Sequence, residues 1–71
     1  MSMSMPMHIT INSKPCVLSE SATIADALLA IQARPPYAVA VNTVFVPAPE
    51  HSRYRLQVGD RIEVISPVTG G

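Results

Sequence analysis

The sequence predicts an α+β domain in which one main helix packs on one face of a mixed β-sheet, in the order β-β-α-β-β-β. Three observations predict it. Apolar and polar residues alternate over residues 7–12, the period of a half-buried strand. Helical spacing of apolar residues occurs in a single later stretch, at Ile24, Ala27, Leu28 and Ile31. The remainder consists of short β-branched runs cut by Pro, Gly and Asn, which reads as strands separated by turns. A single helix can meet all those apolar stripes only by lying across one face of a shared sheet.

A chain of 71 residues makes one small domain, residues 1–71. At that size only about 60% of the unfolded surface is buried, so the core must be used efficiently. Trp is absent, and Tyr37, Phe45 and Tyr54 are the aromatics, so Ile, Val, Leu and Ala must build that core. Five basic and five acidic residues cancel, which argues against nucleic acid or an anionic membrane as the main partner. The single Cys16 cannot close an internal disulfide. The opening Met1-Ser2-Met3-Ser4-Met5-Pro6-Met7 is neither cationic nor continuously apolar and does not read as a signal peptide. Residues 1–6 are expected to be a disordered lead-in. No run approaches the ~18 apolar residues of a membrane span, so the expected compartment is the cytoplasm.

Met7, Ile9 and Ile11 point one way along the first strand and His8, Thr10 and Asn12 the other. Asn12-Ser13 or Ser13-Lys14 can turn the chain into a second strand over residues 15–19, with Cys16 and Leu18 inward and Val17 outward. Thr23 is a good N-cap, and Asp26 three residues later forms an approximate capping box that also suits the positive end of the helix dipole. A helix over residues 24–33 follows, stopped by Pro35-Pro36, which cannot donate backbone hydrogen bonds. Residues 37–42 form a third strand, Val39 and Val41 inward, Ala38 and Ala40 outward. Asn42-Thr43 turns into a short strand over residues 44–46; Asn suits positive φ, but Thr43 suits a tight hairpin poorly, so a longer or type I turn is an alternative. Residues 47–57 are irregular, with a short turn near residues 49–52 and Leu56 as core anchor. Gly59-Asp60 turns into a last strand over residues 61–66, with Ile62 and Val64 inward and Arg61, Glu63 and Ile65 outward. With the first and last strands parallel in the middle, this order is the β-grasp.

The last strand runs into Pro67-Val68-Thr69-Gly70-Gly71. Glycine has no Cβ, so a Gly-Gly end is slim and can thread a narrow channel to present a carboxylate. Residues 66–71 read as a flexible arm of about 20 Å when extended.

The chain resembles the ubiquitin-like sulfur carriers, specifically the ThiS family of thiamine biosynthesis, over residues 7–71. The resemblance rests on Val39-Ala40-Val41-Asn42, Phe45-Val46-Pro47, Val58-Gly59-Asp60-Arg61-Ile62-Glu63-Val64 and the terminal Gly70-Gly71. Thr43 stands where the family often has glycine, and Ala48 where it often has arginine. The resemblance implies that the Gly71 carboxylate is the reacting group. A ThiF-like adenylyltransferase would activate it with ATP. A persulfide, supplied indirectly by a donor such as a cysteine desulfurase, would convert it to a thiocarboxylate. A ThiG-like thiazole synthase would then take the sulfur. Val68, Thr69 and Gly70 would be read inside the activating enzyme's channel. The outward Ala38, Ala40 and Ile65, with Pro67, would form the docking surface. The protein is then a co-substrate rather than an enzyme, monomeric when alone. Its three glycines, at 59, 70 and 71, make no phosphate loop, and no cofactor of its own is expected.

Other residues invite weaker readings. Cys16 is expected to serve as a small buried hydrophobe. His8, His51 and Cys16 match no zinc spacing and lie on different elements, so no metal site is expected. Glu50, Asp60 and Glu63 are scattered surface charges rather than an acid/base pair, with Asp60 a turn former. The nearest alternative function is the MoaD-like small subunit of molybdopterin synthase, which uses the same tail chemistry. Alternatives of another class are a ubiquitin-like protein modifier and an interaction module with an inert tail.

Overall fold

The computed structural model describes residues 5–66, and the expectations for residues 1–4 and 67–71 lie outside them. The chain runs β1 (Pro6–Ile11), β2 (Lys14–Ser19), α1 (Ile24–Ala30), β3 (Ala38–Val41), β4 (Val44–Val46), a short 3-10 helix (Ala48–Glu50) and β5 (Arg61–Ile65). The strands form one sheet in the order β2-β1-β5-β3-β4. β1 and β5 are parallel at its centre, and the remaining pairs are antiparallel. This is the β-grasp arrangement predicted above.

Two tight turns set the registers. Asn12 and Ser13 have φ of 53° and 70°, and Asn42 and Thr43 have φ of 52° and 73°. Positive φ at both central residues is the signature of the type I′ hairpin, whose twist matches that of the flanking strands. Thr43 therefore does occupy the tight turn, and no longer loop is needed. The first strand begins at Pro6, paired with Ser19, one residue earlier than the alternation suggested. A proline at the start of a strand is compatible with the ladder.

Helix α1 begins with a complete capping box. The Asp26 N–H donates to Thr23 Oγ1 at 3.4 Å, and the Thr23 N–H donates to Asp26 Oδ2 at 2.9 Å. Its end differs from the expectation. α1 stops at Ala30, well before Pro35-Pro36, because Gln32 takes a left-handed φ of 56°. The Ala33 N–H then reaches back to the Leu28 carbonyl at 3.0 Å, and the Gln32 N–H to that of Leu29 at 3.1 Å. This pair of bonds is a Schellman closure, normally made with glycine at the left-handed position. The closure also corrects the helix face: Ile31 becomes the C-cap and is 39% exposed, so the buried stripe is Ile24, Ala27 and Leu28.

That stripe packs on Met7, Ile9, Ile11, Val39, Val41, Val46 and Ile62 from the inner face of the sheet. Cys16, Leu18 and Val64 add partly buried contacts. The irregular segment after β4 is strapped to the start of α1. The Leu56 N–H donates to the Ala22 carbonyl at 2.9 Å, and the Ile24 N–H to that of Tyr54 at 3.1 Å. Leu56 is buried, as expected of the anchor. Before β5, Gly59 has φ +85° at the third position of a turn closed by the Asp60 N–H on the Gln57 carbonyl at 3.0 Å. A type II turn requires positive φ there, hence glycine. Among the described residues no helix is long and apolar enough to cross a membrane.

Two substitutions test the corrected helix. Ile24 has no exposed surface, so Ile24→Ala should cost about 3 kcal/mol in urea unfolding. Ile31→Ala should cost less than about 1 kcal/mol; equal losses would put Ile31 back in the core. A third addresses the second hairpin. A β-branched residue at left-handed φ carries strain of order 1–3 kcal/mol, partly offset by the greater unfolded freedom of glycine. Thr43→Gly should therefore stabilise the protein by about 1 kcal/mol, seen as a higher denaturation midpoint at unchanged slope.

Candidate functional site

The outer face of the sheet, away from α1, is where the sequence placed Ala38, Ala40 and Ile65. Strand alternation turns Ile62 and Val64 to the core and leaves Arg61, Glu63 and Ile65 exposed. In the β3–β5 register Ala38 lies opposite Ile65, and Ala40 opposite Glu63. Directly opposed side chains of an antiparallel pair have Cβ atoms about 5 Å apart, so Ala38 and Ile65 make one surface. Ile65 is 59% exposed while both alanines are half-buried. The structure thus brings three predicted docking residues together. Pro67, Val68, Thr69, Gly70 and Gly71 lie outside the described residues.

Phe45 joins this face, a role that the sequence reading missed. It pairs with Ala40 from the other side and is 63% exposed. The row Phe45–Ala40–Glu63 therefore runs across β4, β3 and β5, next to the pair Ala38–Ile65. A signal was available: Val46 is the core residue of β4, so its neighbour Phe45 had to point outward. An exposed aromatic and an exposed isoleucine around two small residues form a low apolar platform with a carboxylate on it. The small size of Ala38 and Ala40 keeps that platform flat.

β5 is fixed on both flanks by asparagine side chains. β1 supplies two rungs, the Thr10 N–H to the Asp60 carbonyl at 3.1 Å and the Asn12 N–H to that of Ile62 at 2.8 Å. Then β1 turns away, and Asn12 Oδ1 accepts from the Val64 N–H at 2.9 Å as a substitute third rung. On the other flank the Asn42 N–H donates to the Arg61 carbonyl at 2.8 Å, and Asn42 Oδ1 accepts from the Arg61 N–H at 3.0 Å. Asn42 Nδ2 in turn donates to Asp60 Oδ1 at 3.0 Å, while Asp60 Oδ2 accepts the Gln57 N–H at 2.8 Å. Asp60 is thus a turn former and also the brace of Asn42. These bonds hold the strand from which residues 66–71 depart.

The remaining candidates are dispersed. Cys16 faces inward opposite Ile9, while His8 lies on the outer face opposite Val17. His51 is buried, with Nε2 2.9 Å from the Val46 carbonyl. A carbonyl only accepts, so Nε2 carries the proton. The His51 ring stacks on Tyr37 with centroids 6.2 Å apart, a structural role that the sequence did not signal. Among the described residues no three His, Cys, Asp or Glu side chains cluster as a metal site would need.

Comparison with known proteins adds to this geometry. A search of solved structures finds similarity to the thiamine biosynthesis protein ThiS from Geobacter metallireducens, with a TM-score of 0.76 at 23% identity. The match covers 92% of this chain and 100% of that one, and at that identity it speaks to the fold. No curated protein matches in sequence. The profile of the ThiS family matches residues 7–71, that is, β1 onward through the two terminal glycines. This chain therefore belongs to the ThiS family, small ubiquitin-like proteins that carry sulfur rather than catalyse.

Proposed function

We propose that the chain carries sulfur as a thiocarboxylate on Gly71 and delivers it to a thiazole synthase in thiamine biosynthesis. The observation that carries this reading is the family match running to residue 71 in a chain whose central strand β5 leads into the Gly-Gly end. The similar solved protein is itself described as a thiamine biosynthesis protein.

A carboxylate is a poor acyl donor because oxide is a poor leaving group. An oxygen of the Gly71 carboxylate attacks the α-phosphorus of ATP, pyrophosphate departs, and an acyl-adenylate forms on the activating enzyme. A persulfide sulfur then attacks the Gly71 carbonyl carbon and expels AMP, giving an acyl disulfide. A thiol cleaves its S–S bond, leaving the thiocarboxylate on Gly71 and a disulfide on the thiol side. The thiocarboxylate sulfur is nucleophilic and attacks an electrophilic carbon on the thiazole synthase. The carrier supplies none of the acid, base or metal chemistry. It supplies a slim uncharged arm and, around Ile65, Ala38, Ala40 and Phe45, the surface by which the ThiF-like adenylyltransferase and the synthase grip it. Use of ATP is consistent with work in the cytoplasm.

Intact mass tests the chemistry directly. After incubation with ATP, the activating enzyme and a persulfide donor, the chain should gain about 16 Da, the exchange of one oxygen for sulfur. Gly71→Val or Gly70→Val should abolish the gain with folding unchanged, since a Cβ widens the arm; normal adenylation of either variant would contradict threading. The docking face is tested by Ile65→Asp. Its side chain is outside the core, so stability should change by less than about 1 kcal/mol. Affinity for the activating enzyme, by calorimetric titration, should fall at least about tenfold, because a charge replaces an apolar contact. Retained affinity would remove the face from the site.

A further inference from the structure

Glu63 puts a carboxylate on the outer face that the fold does not call for. Asp26 closes the capping box, and Asp60 braces Asn42 and the turn at Gln57. Glu20 and Glu50 lie outside the strands, whereas Glu63 lies within β5, the central strand of the sheet. Glutamate is disfavoured there, and a β-branched residue would suit the sheet better. Glu63 is exposed, and its side chain enters no hydrogen bond among the described residues. Arg61 shares with it the rim of a small cleft beside Thr10, Ser13 and Thr43, yet the two are not joined by any of those bonds.

The neighbours of Glu63 say what it meets. Along the row Glu63–Ala40–Phe45 each step is one antiparallel pairing, so the Cβ atoms of Glu63 and Phe45 stand about 10 Å apart. Only the methyl group of Ala40 lies between them. Side chains stand roughly perpendicular to a sheet, so the exposed Phe45 ring and the Glu63 carboxylate form two walls over a floor of alanine. A cation is attracted to an aromatic face within about 6 Å of the ring centroid. A charged N–H bonds a carboxylate at about 2.8 Å. One cationic group set over Ala40 meets both distances. A guanidinium fits better than an ammonium, because its plane stacks on the ring while its fork of N–H groups grips the carboxylate. Ala38 and Ile65, next along the face, supply apolar surface that keeps water from the pair.

We infer that Glu63, Ala40 and Phe45 form a receptor for an arginine side chain of the enzyme that docks on the outer face. This rests on the function proposed above. The test uses the full chain and the ThiF-like adenylyltransferase, which meets the carrier before any sulfur is attached. The variants are Glu63→Gln, which keeps the shape and removes the charge, Phe45→Leu, which keeps an apolar group and removes the ring, and the two combined. Ile65→Asp is the reference. Both positions are exposed, and circular dichroism with a urea midpoint checks that folding is kept. In calorimetric titration Glu63→Gln should raise the Kd at least about tenfold, and Phe45→Leu about fivefold. The combined variant should lose at least about threefold less than the product of the two, because both walls hold the same group. If Glu63→Gln stays within about twofold of the unsubstituted chain while Ile65→Asp does not bind, the receptor is overturned and the functional proposal stands. Losses that multiply in the combined variant also overturn it, since the two side chains then share no guest. If the unsubstituted chain is never adenylated, the functional proposal falls and the inference falls with it.

Discussion

The parallel pairing of β1 with β5 is the constraint on which the rest of the structure depends. It brings the first and last strands together at the centre of the sheet, and it is short, with Thr10 opposite Arg61 and Ile11 opposite Ile62. A parallel ladder so brief would leave the end of β5 held from one side only. Asn12 solves this by continuing the ladder through its side chain to the Val64 N–H. Asn42 does the equivalent on the β3 flank, braced by Asp60. Each such bond contributes about 1 kcal/mol net, modest beside the core. Their effect is positional: Asn42 holds β5 where it starts, at Arg61, and Asn12 holds it near its end, at Val64.

The same asparagines make the turns possible. Both sit at the first position of a two-residue hairpin with positive φ, where asparagine is among the residues that pay least. One residue type thus meets two demands at each hairpin, the backbone angle and the missing rung. Glycine at either position would meet the first demand and lose the second. The residue that follows is under no such double demand, and there Ser13 and Thr43 accept a strained angle.

Much of this was legible in the sequence, and the failures have physical causes. Strand faces could be read because a period of two admits two settings, and the apolar residues chose between them. Val39, Val41, Ile62 and the outward Ala38, Ala40 and Ile65 all followed. The end of α1 could not be read. Gln32 in the left-handed region carries none of the composition that marks a Schellman closure, and Pro35-Pro36 offered a more visible stop. Nor could the side-chain rungs be read, because Asn12 and Val64 meet only after the whole sheet has formed. His51 was equally hidden: a histidine in a loop gives no sign that its ring will cap the Val46 carbonyl.

Alternation also separates stability from recognition. Within β3 and β5 every second side chain enters the core beneath α1, and the intervening ones face solvent. Val39 and Ile62 can therefore be held to tight packing while Ala38, Ala40 and Ile65 stay available for the proposed docking. The two sets share a backbone, so a partner pressing on the outer face bears on a sheet already fixed by burial on the other. The proposed hand-over from one enzyme to another would benefit from such a surface. It need not order itself on each encounter, and so avoids the conformational entropy that a flexible epitope would lose each time. Placing the proposed chemistry on a short arm and its recognition on a rigid body follows from the same division.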